Sequence, residues 1–493
     1  MFFPCYNVGI NKEELVMAVL NTNVLINYYF EEIAKIPHGS FNEEKIADYV
    51  VEIAKKYNHK YYRDEMNNVI VYKEASEGYE NHEPVLLEAH MDMVCEKNND
   101  SQHDFENDPL DLYIKDGYLY ANETTLGADD GYGVCYMLSV LSDNTLKHPP
   151  LECLFTVQEE VGLIGAMFID EKQISAKRMI GLDSEKEGEI CTSSSGGNEV
   201  EIFKDYSLID NSDPVYCFEV KGLLGGHSGA CIHLSRGNAN KLAARALMSL
   251  IQNGIDVRLV DITGGLKSNA IPRECKVSFA SSSDKDKIVD LLSQFEEEVK
   301  LELVNSDAGF HVDFELDESQ TCIANDDSEC IITFMYLALN GLIERSQVID
   351  DLTIMSLNMG IVRTYEDHIK ITYSTRSPLA SSRKQMANQL ETLALMFNAY
   401  VKVSNEYPGW DYDANSKIRK QLKEFYLKQK GVELTEVATH GGLETGVLKG
   451  KIPELDIVTF GPDMDDIHTP DERLNIESYI NTYQLLVNFL EIL

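Results

Sequence analysis

The sequence predicts a two-domain α/β protein in which an α+β domain interrupts a domain with a mostly parallel central sheet. Three observations support this fold class. At 493 residues the chain is too long for one ordinary hydrophobic core. From about Pro84, short apolar runs alternate with helical patterns, as in a sheet with helices on both faces. This pattern stops after about Gly197 and returns after Tyr407, which predicts a split domain at 1–199 and 405–493 around an inserted domain at 200–404.

The split domain has short apolar runs of the length of buried strands, separated by helical patterns. A first helix is predicted from near Asn23 through Ile36, and a second helix ends near Leu141. After the insert, helices are predicted at 417–429 and 477–493. The predicted strands are Pro84–His90, Leu151–Val157, Arg178–Asp183 and Leu455–Phe460.

The inserted domain shows one order of elements twice. The first set is a strand at 215–220, a helix at 238–252, strands at 257–263 and 274–280, a helix at 286–303 and a strand at 311–316. The second set is a helix at 328–341, strands at 353–362 and 368–374, a helix at 382–397 and a strand at 400–403. We interpret this order as a duplicated ferredoxin-like unit. The alternative is that any α+β segment of this size shows such an order by chance, because the residues themselves do not repeat.

Composition excludes several classes of protein. A content of 44% hydrophobic and 25% charged residues is typical of a globular protein and not of a membrane protein or a disordered chain. The 82 acidic residues against 43 basic ones give a net charge of -39, which repels nucleic acid and anionic membranes. We therefore expect neither as a partner. The acidity has two interpretations that composition does not separate: a solvated surface, or carboxylates gathered around cations.

The cysteines and the first residues predict a cytoplasmic protein. The run from Val16 to Phe30 is interrupted by asparagines, so we expect neither a signal peptide nor a membrane span there. The ten cysteines include no Cys-x-x-Cys pair, and several lie in apolar runs. They are predicted to be small buried hydrophobic residues in a reducing compartment. These cysteines are Cys5, Cys95, Cys135, Cys153, Cys191, Cys217, Cys231, Cys275, Cys322 and Cys330.

Ionisable residues follow the predicted strands of the split domain. His90 ends one strand, the pair Glu159 and Glu160 follows the next, Asp183 ends a third, and His468 lies in the loop after a fourth. Open α/β sheets bind ligands at the carboxyl ends of their strands, because the loops there converge on one crevice. Four separate segments are thus expected to bring two histidines and several carboxylates together.

Asp129 is predicted to join them from a glycine-rich turn, Thr125-Leu-Gly-Ala-Asp-Asp-Gly131, which leads into a helix. Two imidazoles with three or four carboxylates suit two divalent ions such as Zn²⁺, Co²⁺ or Mn²⁺. Each residue alone has a simpler explanation: Asp129 as a helix cap, Asp183 as a turn residue, His90 as a hydrogen-bonded strand end. Their shared position at strand ends favours a metal site.

Several motifs, taken in order, resemble the two-zinc peptidase family of aminoacylases, carboxypeptidases and dipeptidases. Further motifs resemble its branch of dipeptidases that cleave Xaa-His dipeptides, and the resemblance covers nearly the whole chain after about Phe30. The family motifs are His90-Met-Asp92-Met-Val94, Gly127-Ala-Asp129, Thr156-Val-Gln-Glu159-Glu160, Asp183-Ser-Glu185 and His468-Thr-Pro-Asp-Glu-Arg473. The branch motifs are Asp92-Met-Val-Cys-Glu-Lys-Asn98, Gly225-Gly-His-Ser-Gly229 and His440-Gly-Gly-Leu-Glu444.

The resemblance implies a role for each residue of the metal site. Asp129 bridges both metals, and which of Asp129 and Asp130 does so depends on the match to Gly-Ala-Asp. His90 and Asp183 complete one metal site, while Glu160 and His468 complete the other. Glu159 becomes the general base for a water held between the cations, and Asp92 orients His90. The alternatives are a surface glutamate pair for Glu159 and Glu160 and a buried loop acid for Asp92.

The resemblance also implies a substrate clamp in the inserted domain, which would act as a moving lid. His227 would stabilise the oxyanion, and Asn269 and Arg376 would bind the substrate carboxylate. Without the resemblance, Gly225-Gly226 indicates a simple turn and Arg376 a charge at a sheet edge. Because both halves of the insert carry clamp residues, either a monomer or a homodimer is expected.

The sequence therefore predicts a metal-dependent dipeptidase acting on Xaa-His and other unblocked dipeptides. A related hydrolase of other short peptides or of N-acyl amino acids has the same ligand set and remains an alternative. A catalytically silent small-ligand-binding protein on the same fold is an alternative from another class, although such a protein should have lost Glu159 or Asp129.

Overall fold

The chain was analysed as a computed structural model, which describes residues 18–347, 349 and 352–493. Cys5 and the part of the first apolar run that precedes residue 18 lie outside these ranges. Up to residue 194 the elements are α1 (Leu25–Ile33), α2 (Glu44–Lys56), β1 (Lys60–Arg63), β2 (Val69–Lys73), β3 (Val85–His90), β4 (Leu112–Lys115), β5 (Tyr118–Ala121), α3 (Ala128–Ser142), β6 (Leu151–Thr156), α4 (Ile164–Phe168), β7 (Arg178–Gly181) and β8 (Glu189–Ser194).

The middle of the chain alternates strands with four long helices and one short helix. Its elements are β9 (Gly196–Asp205), β10 (Leu208–Asp210), β11 (Val215–Lys221), β12 (Gly226–His227), α5 (Ser228–Cys231), α6 (Ala239–Gln252), β13 (Arg258–Gly264), β14 (Ala270–Ile271), β15 (Cys275–Ala280), α7 (Lys285–Glu302), β16 (His311–Asp317), β17 (Thr321–Ile323), α8 (Asn325–Leu337), β18 (Gly341–Arg345), β19 (Thr353–Thr364), β20 (His368–Ser377), α9 (Ala380–Met396) and β21 (Tyr400–Tyr407). The last stretch contains α10 (Lys417–Lys430), β22 (Thr435–Thr439), α11 (Glu444–Lys451), β23 (Asp456–Thr459), β24 (Met464–Asp465), β25 (Arg473–Asn475) and α12 (Ile476–Leu490).

The residues divide into two compact units. The first unit takes the described residues of Met1–Thr192 together with Tyr412–Val437 and Leu443–Leu493. The second takes Ser193–Asp411 and Ala438–Gly442. The sequence placed these boundaries at 199/200 and 404/405. The structural boundaries differ because β9, which begins at Gly196, pairs along its length with β20 and β21 of the second unit.

The first unit contains a sheet in the order β1-β2-β6-β3-β7-β23-β8-β22. Its centre is parallel, since β3 runs parallel to β6 and β7, and β23 runs parallel to β7. The strands β1, β2 and β8 pair antiparallel to their neighbours. Both β3 and β6 are buried along their whole length, which explains their continuous apolar runs. The predicted α/β class is confirmed, but the sheet is mixed and not mostly parallel, because its parallel centre of β6, β3, β7 and β23 is flanked by antiparallel strands. The parallel strands bring their carboxyl ends to one edge.

Packing of α3 closes one side of this sheet. The helix is buried on every side, and it packs against α1 and β3. Gly133 allows the close approach, because a Cβ at this position would lie 2.7 Å from the Leu182 carbonyl oxygen and 2.9 Å from the Ala89 Cβ. A second, antiparallel sheet in the order β24-β25-β5-β4 fixes the chain around residue 468 beside the segment that precedes α3.

The second unit contains a sheet in the order β16-β11-β15-β13-β19-β20-β9-β21, with β18 paired to β19. In chain order the first half is β11-α6-β13-β15-α7-β16, and the second half is β9, then α8-β19-β20-α9-β21. The two halves have mirrored strand orders and meet through β13 and β19, at the pairs Thr263↔Arg363 and Gly264↔Val362. The first strand of the second half, β9, precedes the first half in the chain. Duplication as the origin of this arrangement stays a prediction.

Two further observations concern the cysteines and the membrane. None of the nine cysteines within the described ranges forms a disulfide. Among the helices of these ranges, none combines the length and the apolar character that a membrane crossing requires.

Candidate metal centre

His90, at the end of β3, is buried and held in one orientation. Its Nδ1 lies 2.9 Å from the backbone carbonyl oxygen of Asp92. Because a carbonyl oxygen only accepts, Nδ1 carries the proton of this hydrogen bond, and Nε2 is turned towards Asp129. Nε2 lies 3.2 Å from Oδ1 of Asp129. Burial opposes protonation of this imidazole, but the carboxylates of Asp129 and Asp92 outweigh burial and hold the pKa of His90 well above its ordinary value.

Asp129 lies between the two predicted histidine ligands. Its Oδ1 is 3.2 Å from Nε2 of His90, and its Oδ2 is 3.2 Å from Nε2 of His468. Burial alone would raise the pKa of Asp129, but the hydrogen bonds to His468 and His90 hold it below the ordinary value. Gly127 precedes it in the left-handed region, with φ 66°, where a Cβ would also lie 2.9 Å from the Met93 sulfur. The tight turn that presents Asp129 therefore requires glycine.

Asp130 points elsewhere. Its carboxylate is fully buried and accepts hydrogen bonds from the backbone N–H groups of His90 at 3.3 Å and Gly133 at 3.2 Å. Burial raises the pKa of Asp130 well above its ordinary value. Of the two adjacent aspartates, Asp129 is the one that faces both imidazoles.

Glu159 and Glu160 follow β6, where the backbone leaves the extended conformation. The strand ends at Thr156, and Gln158 has a positive φ of 55°. Oε1 of Glu160 lies 2.9 Å from Nε2 of His468. Burial raises the pKa of Glu159 well above its ordinary value. Side chains no longer alternate between two faces once the strand has ended, so both adjacent glutamates face the same cluster.

The carboxylate of Asp92 contacts this glutamate pair more closely than it contacts His90. Its carboxylate accepts hydrogen bonds from the backbone N–H groups of Glu159 at 3.0 Å and Glu160 at 3.3 Å, and from the Ser40 hydroxyl at 2.8 Å. The distance from its Oδ1 to Nδ1 of His90 is 3.6 Å, which is beyond a hydrogen bond. Asp92 thus orients His90 through its backbone carbonyl and the glutamate pair through its side chain.

Three overlapping groups of side chains in the described residues have ligand atoms within 4.8 Å of one another. They are His90, Asp129 and Asp183; His90, Glu159 and Glu160; and Asp129, Glu160 and His468. The first and third are the two predicted ligand sets, and they share Asp129.

The chemistry of this donor set fits divalent cations. Burial and the nearby Asp129 raise the pKa of Asp183 to about 8. Hydrogen bonds to Asp129 and Glu160 raise the pKa of His468 to about 11. Without cations, protons therefore compensate the carboxylate charge in this cluster. Two cations would supply that compensation in their place and would leave the carboxylates ionised and the imidazoles neutral.

His227, Asn269 and Arg376 lie in the second unit, where the structure brings them together. Arg376 donates to the hydroxyls of Ser228 at 3.2 Å and Tyr407 at 3.0 Å, and its third nitrogen lies 3.3 Å from Nε2 of His227. The backbone oxygen of Asn269 accepts a hydrogen bond from the Ser228 N–H at 2.8 Å. Partial burial and the charge of Arg376 lower the pKa of His227 to about 4, so its imidazole is neutral.

Two further residues have contacts that the sequence alone did not predict. Asn358 donates to the carbonyl oxygens of Ser268 and Ala270, both at 2.8 Å, and so fixes the loop on either side of Asn269. Glu472 accepts hydrogen bonds from the backbone of the Asp129 turn. Glu472 lies inside the family motif that begins at His468. Only folding brings it to the Asp129 turn, which is more than 300 positions away in the sequence.

A branch motif, His440-Gly-Gly-Leu-Glu444, supplies buried polar groups in both units. In the second unit, the two ring nitrogens of His440 lie 2.8 Å from the Ser195 hydroxyl and 2.7 Å from the Ser356 hydroxyl. In the first unit, Glu444 accepts a hydrogen bond from Thr156, the last residue of β6. The resemblance includes this motif but implies no role for His440 or Glu444.

Comparison with known proteins places the chain in a family. The model of peptidase family M20/M25/M40 matches residues 86–492, a range that contains the whole candidate metal centre. The chain is 36% identical over 467 residues to the cytosol non-specific dipeptidase of Escherichia coli, covering 94% of this chain and 96% of that protein.

Solved structures of peptidases are also similar to this chain. The aminoacylhistidine dipeptidase of Vibrio alginolyticus superposes with a TM-score of 0.87 at 34% identity, covering 95% of this chain and 96% of that one. Aminopeptidase PepT of Bacillus cereus shares the fold, with a TM-score of 0.55 at 18% identity and coverage of 96% of this chain and 99% of that one. The chain therefore belongs to peptidase family M20/M25/M40 and is a metallopeptidase.

Proposed function

We propose that this protein is a dipeptidase that hydrolyses unblocked dipeptides, including those of the Xaa-His type, with two divalent metal ions. The observation that carries the proposal is the grouping of His90, Asp183, Glu160 and His468 around the shared carboxylate of Asp129. The names of the two similar proteins, a non-specific dipeptidase and an aminoacylhistidine dipeptidase, support dipeptides as the substrate class. Zn²⁺ is our first choice of metal, with Co²⁺ or Mn²⁺ as alternatives.

Glu159 is our candidate for the general base. When bound, the two cations would polarise the scissile carbonyl group and lower the pKa of water at the site. The Glu159 carboxylate would accept the proton of the attacking water and return it to the leaving amine. Glu160 is less suited to this step because its Oε1 already faces His468 at 2.9 Å. The Asp92 carboxylate would keep the backbone of both glutamates in place.

His227 is our candidate for stabilising the oxyanion. Nε2 of its neutral ring faces a guanidinium nitrogen of Arg376, which can only donate, so Nε2 accepts and the proton is on Nδ1. Nδ1–H would then be the group that donates to the developing negative charge. Asn269 would add a neutral amide to the recognition of the substrate.

Arg376 is our candidate for binding the substrate carboxylate. Arg376 is buried, with only 5% of its surface exposed. Its hydrogen-bond partners are two hydroxyls and a neutral imidazole, and among the described residues no carboxylate forms an ion pair with it. A buried guanidinium without a counter-ion is costly, and an anionic ligand would compensate it. This environment suits a free C-terminal carboxylate.

A panel of substrates tests the proposed function. The metal-loaded protein should hydrolyse free dipeptides, β-Ala-His and α-Xaa-His among them, faster than tripeptides or N-acyl amino acids, as measured by kcat/KM. Higher kcat/KM values for N-acyl amino acids or longer peptides would replace the proposal by the alternative of a related hydrolase. A catalytically silent binding protein is not favoured, since Asp129 and Glu159 are both present in the cluster. Hydrolysis of no substrate in the panel would revive that alternative.

Arg376→Ala should remove the preference for a free C-terminal carboxylate. Charge-assisted hydrogen bonds contribute about 1.5–3 kcal/mol, so amidation of a dipeptide should lower kcat/KM roughly 10- to 100-fold in the wild type and little in the variant. Arg383→Ala is the matched control, because Arg383 is also buried and donates to the carbonyl oxygens of Ser377 and Pro378. An unchanged preference in Arg376→Ala would place the carboxylate elsewhere.

A cytoplasmic location and a monomeric or homodimeric state remain proposals that rest on the sequence. The described cysteines form no disulfide, which suits a reducing compartment.

A further inference from the structure

Glu472 is a buried carboxylate with an unusual set of partners. The residue is only 2% exposed. Its Oε2 lies 2.7 Å from the backbone nitrogen of Leu126 and 3.1 Å from that of Gly127. Its Oε1 lies 2.8 Å from the nitrogen of Ala128 and 3.4 Å from that of Asp129. One carboxylate therefore accepts from four consecutive N–H groups.

These N–H groups belong to the turn that presents Asp129 at the start of α3. The first N–H groups of a helix have no partner within the helix and attract an anion. The backbone at Asp129 and Asp130 is not helical, so this turn does not draw its shape from regular α-helix hydrogen bonds. Its conformation instead depends on an acceptor from a distant part of the chain.

The same segment that carries Glu472 also carries His468. Between the two residues, the N–H of Glu472 donates to the carbonyl oxygen of Thr469 at 3.1 Å, which closes a tight turn. Directly after Glu472, β25 pairs with β5 through Leu474 and Leu119. The turn at Thr469 and the pairing of β25 thus link the position of Glu472 to that of His468.

We propose that Glu472 is a positioning residue that sets the distance between Asp129 and His468, and thereby the geometry of the shared ligand of both metal ions. This inference rests on the proposed function, because it gives the clustered residues their role as ligands. Glu472 itself is in none of the three groups of candidate ligands, since its oxygens accept from the backbone of the turn. It acts through the backbone of the turn and through the segment it shares with His468.

The test is the affinity of the purified full-length chain for Zn²⁺, measured by competition with a chromogenic chelator. In Glu472→Gln an amide NH₂ replaces one oxygen and faces N–H donors. Loss of a group that orients a metal ligand typically weakens metal binding about 10- to 100-fold, and we expect a loss in this range. Glu472→Asp keeps the charge but is one methylene shorter, so it should show a smaller loss.

Glu152→Gln is the matched control. Glu152 is also buried, in β6, and its carboxylate accepts from the N–H groups of Ser175 and Ala176 and from the Ser175 hydroxyl. It lies near the opposite end of the strand from the ligands. Both Gln variants should lower the midpoint of thermal unfolding of the metal-free protein, but only Glu472→Gln should lower the affinity for Zn²⁺.

Three results would overturn the role of Glu472. They are a wild-type affinity in folded Glu472→Gln, an equal loss of affinity in Glu152→Gln, and, if Glu472→Gln does not fold, a wild-type affinity in Glu472→Asp. A wild-type chain that binds no divalent ion would instead overturn the proposed function, and the role of Glu472 with it. The first three results leave the metal-dependent activity of the wild type intact, so the two failures are distinguishable.

Discussion

Removing divalent metal ions with a chelator should abolish hydrolysis of dipeptides, and adding Zn²⁺, Co²⁺ or Mn²⁺ should restore it. The expected loss of activity is essentially complete, because the cations would polarise the scissile carbonyl and no side chain of the cluster is assigned that role. In the metal-free protein, burial and Asp129 keep the pKa of Asp183 at about 8, so this ligand is largely protonated at neutral pH. The measurement is kcat/KM for a dipeptide before chelation, after chelation and after each metal is added.

Asp129→Ala provides a second test of metal dependence. Because Asp129 faces both imidazoles, its loss should lower the metal content by more than the loss of Asp183 or Glu160, each of which would serve one site in the proposed arrangement. Metal content per chain, measured by atomic emission, separates these outcomes. Asp183→Asn and Glu160→Gln are the matched one-site controls. Full activity in metal-free protein, or equal metal loss in all three variants, would contradict the shared-ligand arrangement.

Glu159→Gln should lower kcat by about a hundred- to ten-thousand-fold while both metal ions remain bound. Removal of a general base typically has an effect of this size. Glutamine has nearly the same shape as glutamate, and the backbone N–H of Glu159 would still donate to Asp92. The loss should therefore arise from proton transfer and not from a change of structure. Single-turnover kinetics with metal-saturated protein, together with metal content, measure both quantities.

Glu160→Gln is the control for this second prediction, since it changes the neighbouring residue in the same way. Its Oε1 faces His468, so the variant should lose metal affinity as well as rate, and excess metal should recover part of its activity. Excess metal should recover nothing in Glu159→Gln. A wild-type kcat in Glu159→Gln would identify another residue as the base. Loss of one metal from that variant would make Glu159 a ligand, as the group of His90, Glu159 and Glu160 allows.

The local pattern of the sequence was sufficient for the elements that carry the candidate ligands. Continuous apolar runs gave β3 and β6 their bounds to within one residue, because strands buried on both faces need no polar alternation. Residues that follow parallel strands must meet at one edge of the sheet, so the positions of His90, Glu159 and Asp183 in the sequence already implied their proximity. The helices α6 and α7 were also predicted, at 238–252 and 286–303.

Local sequence patterns did not predict which distant segments pair with each other. The strand β9 completes the second half of the second unit, although it precedes the first half in the chain. Similarly, residues 438–442 belong to the second unit, where His440 bonds to Ser195 and Ser356. Each of these pairings joins residues far apart in sequence, and no local periodicity encodes which distant partner a strand or loop will meet.

The sequence by itself determined the α/β class, the interrupted arrangement and the set of residues able to hold two metal ions, because these follow from local hydrophobic patterns and from the ends of parallel strands. The tertiary structure decided that Asp129 and not Asp130 faces both imidazoles, and that Asp92 holds the Glu159–Glu160 backbone. It also decided that Glu472 closes the Asp129 turn. The physical reason is that a buried carboxylate must find donors, and which N–H groups it finds depends on how distant segments pack.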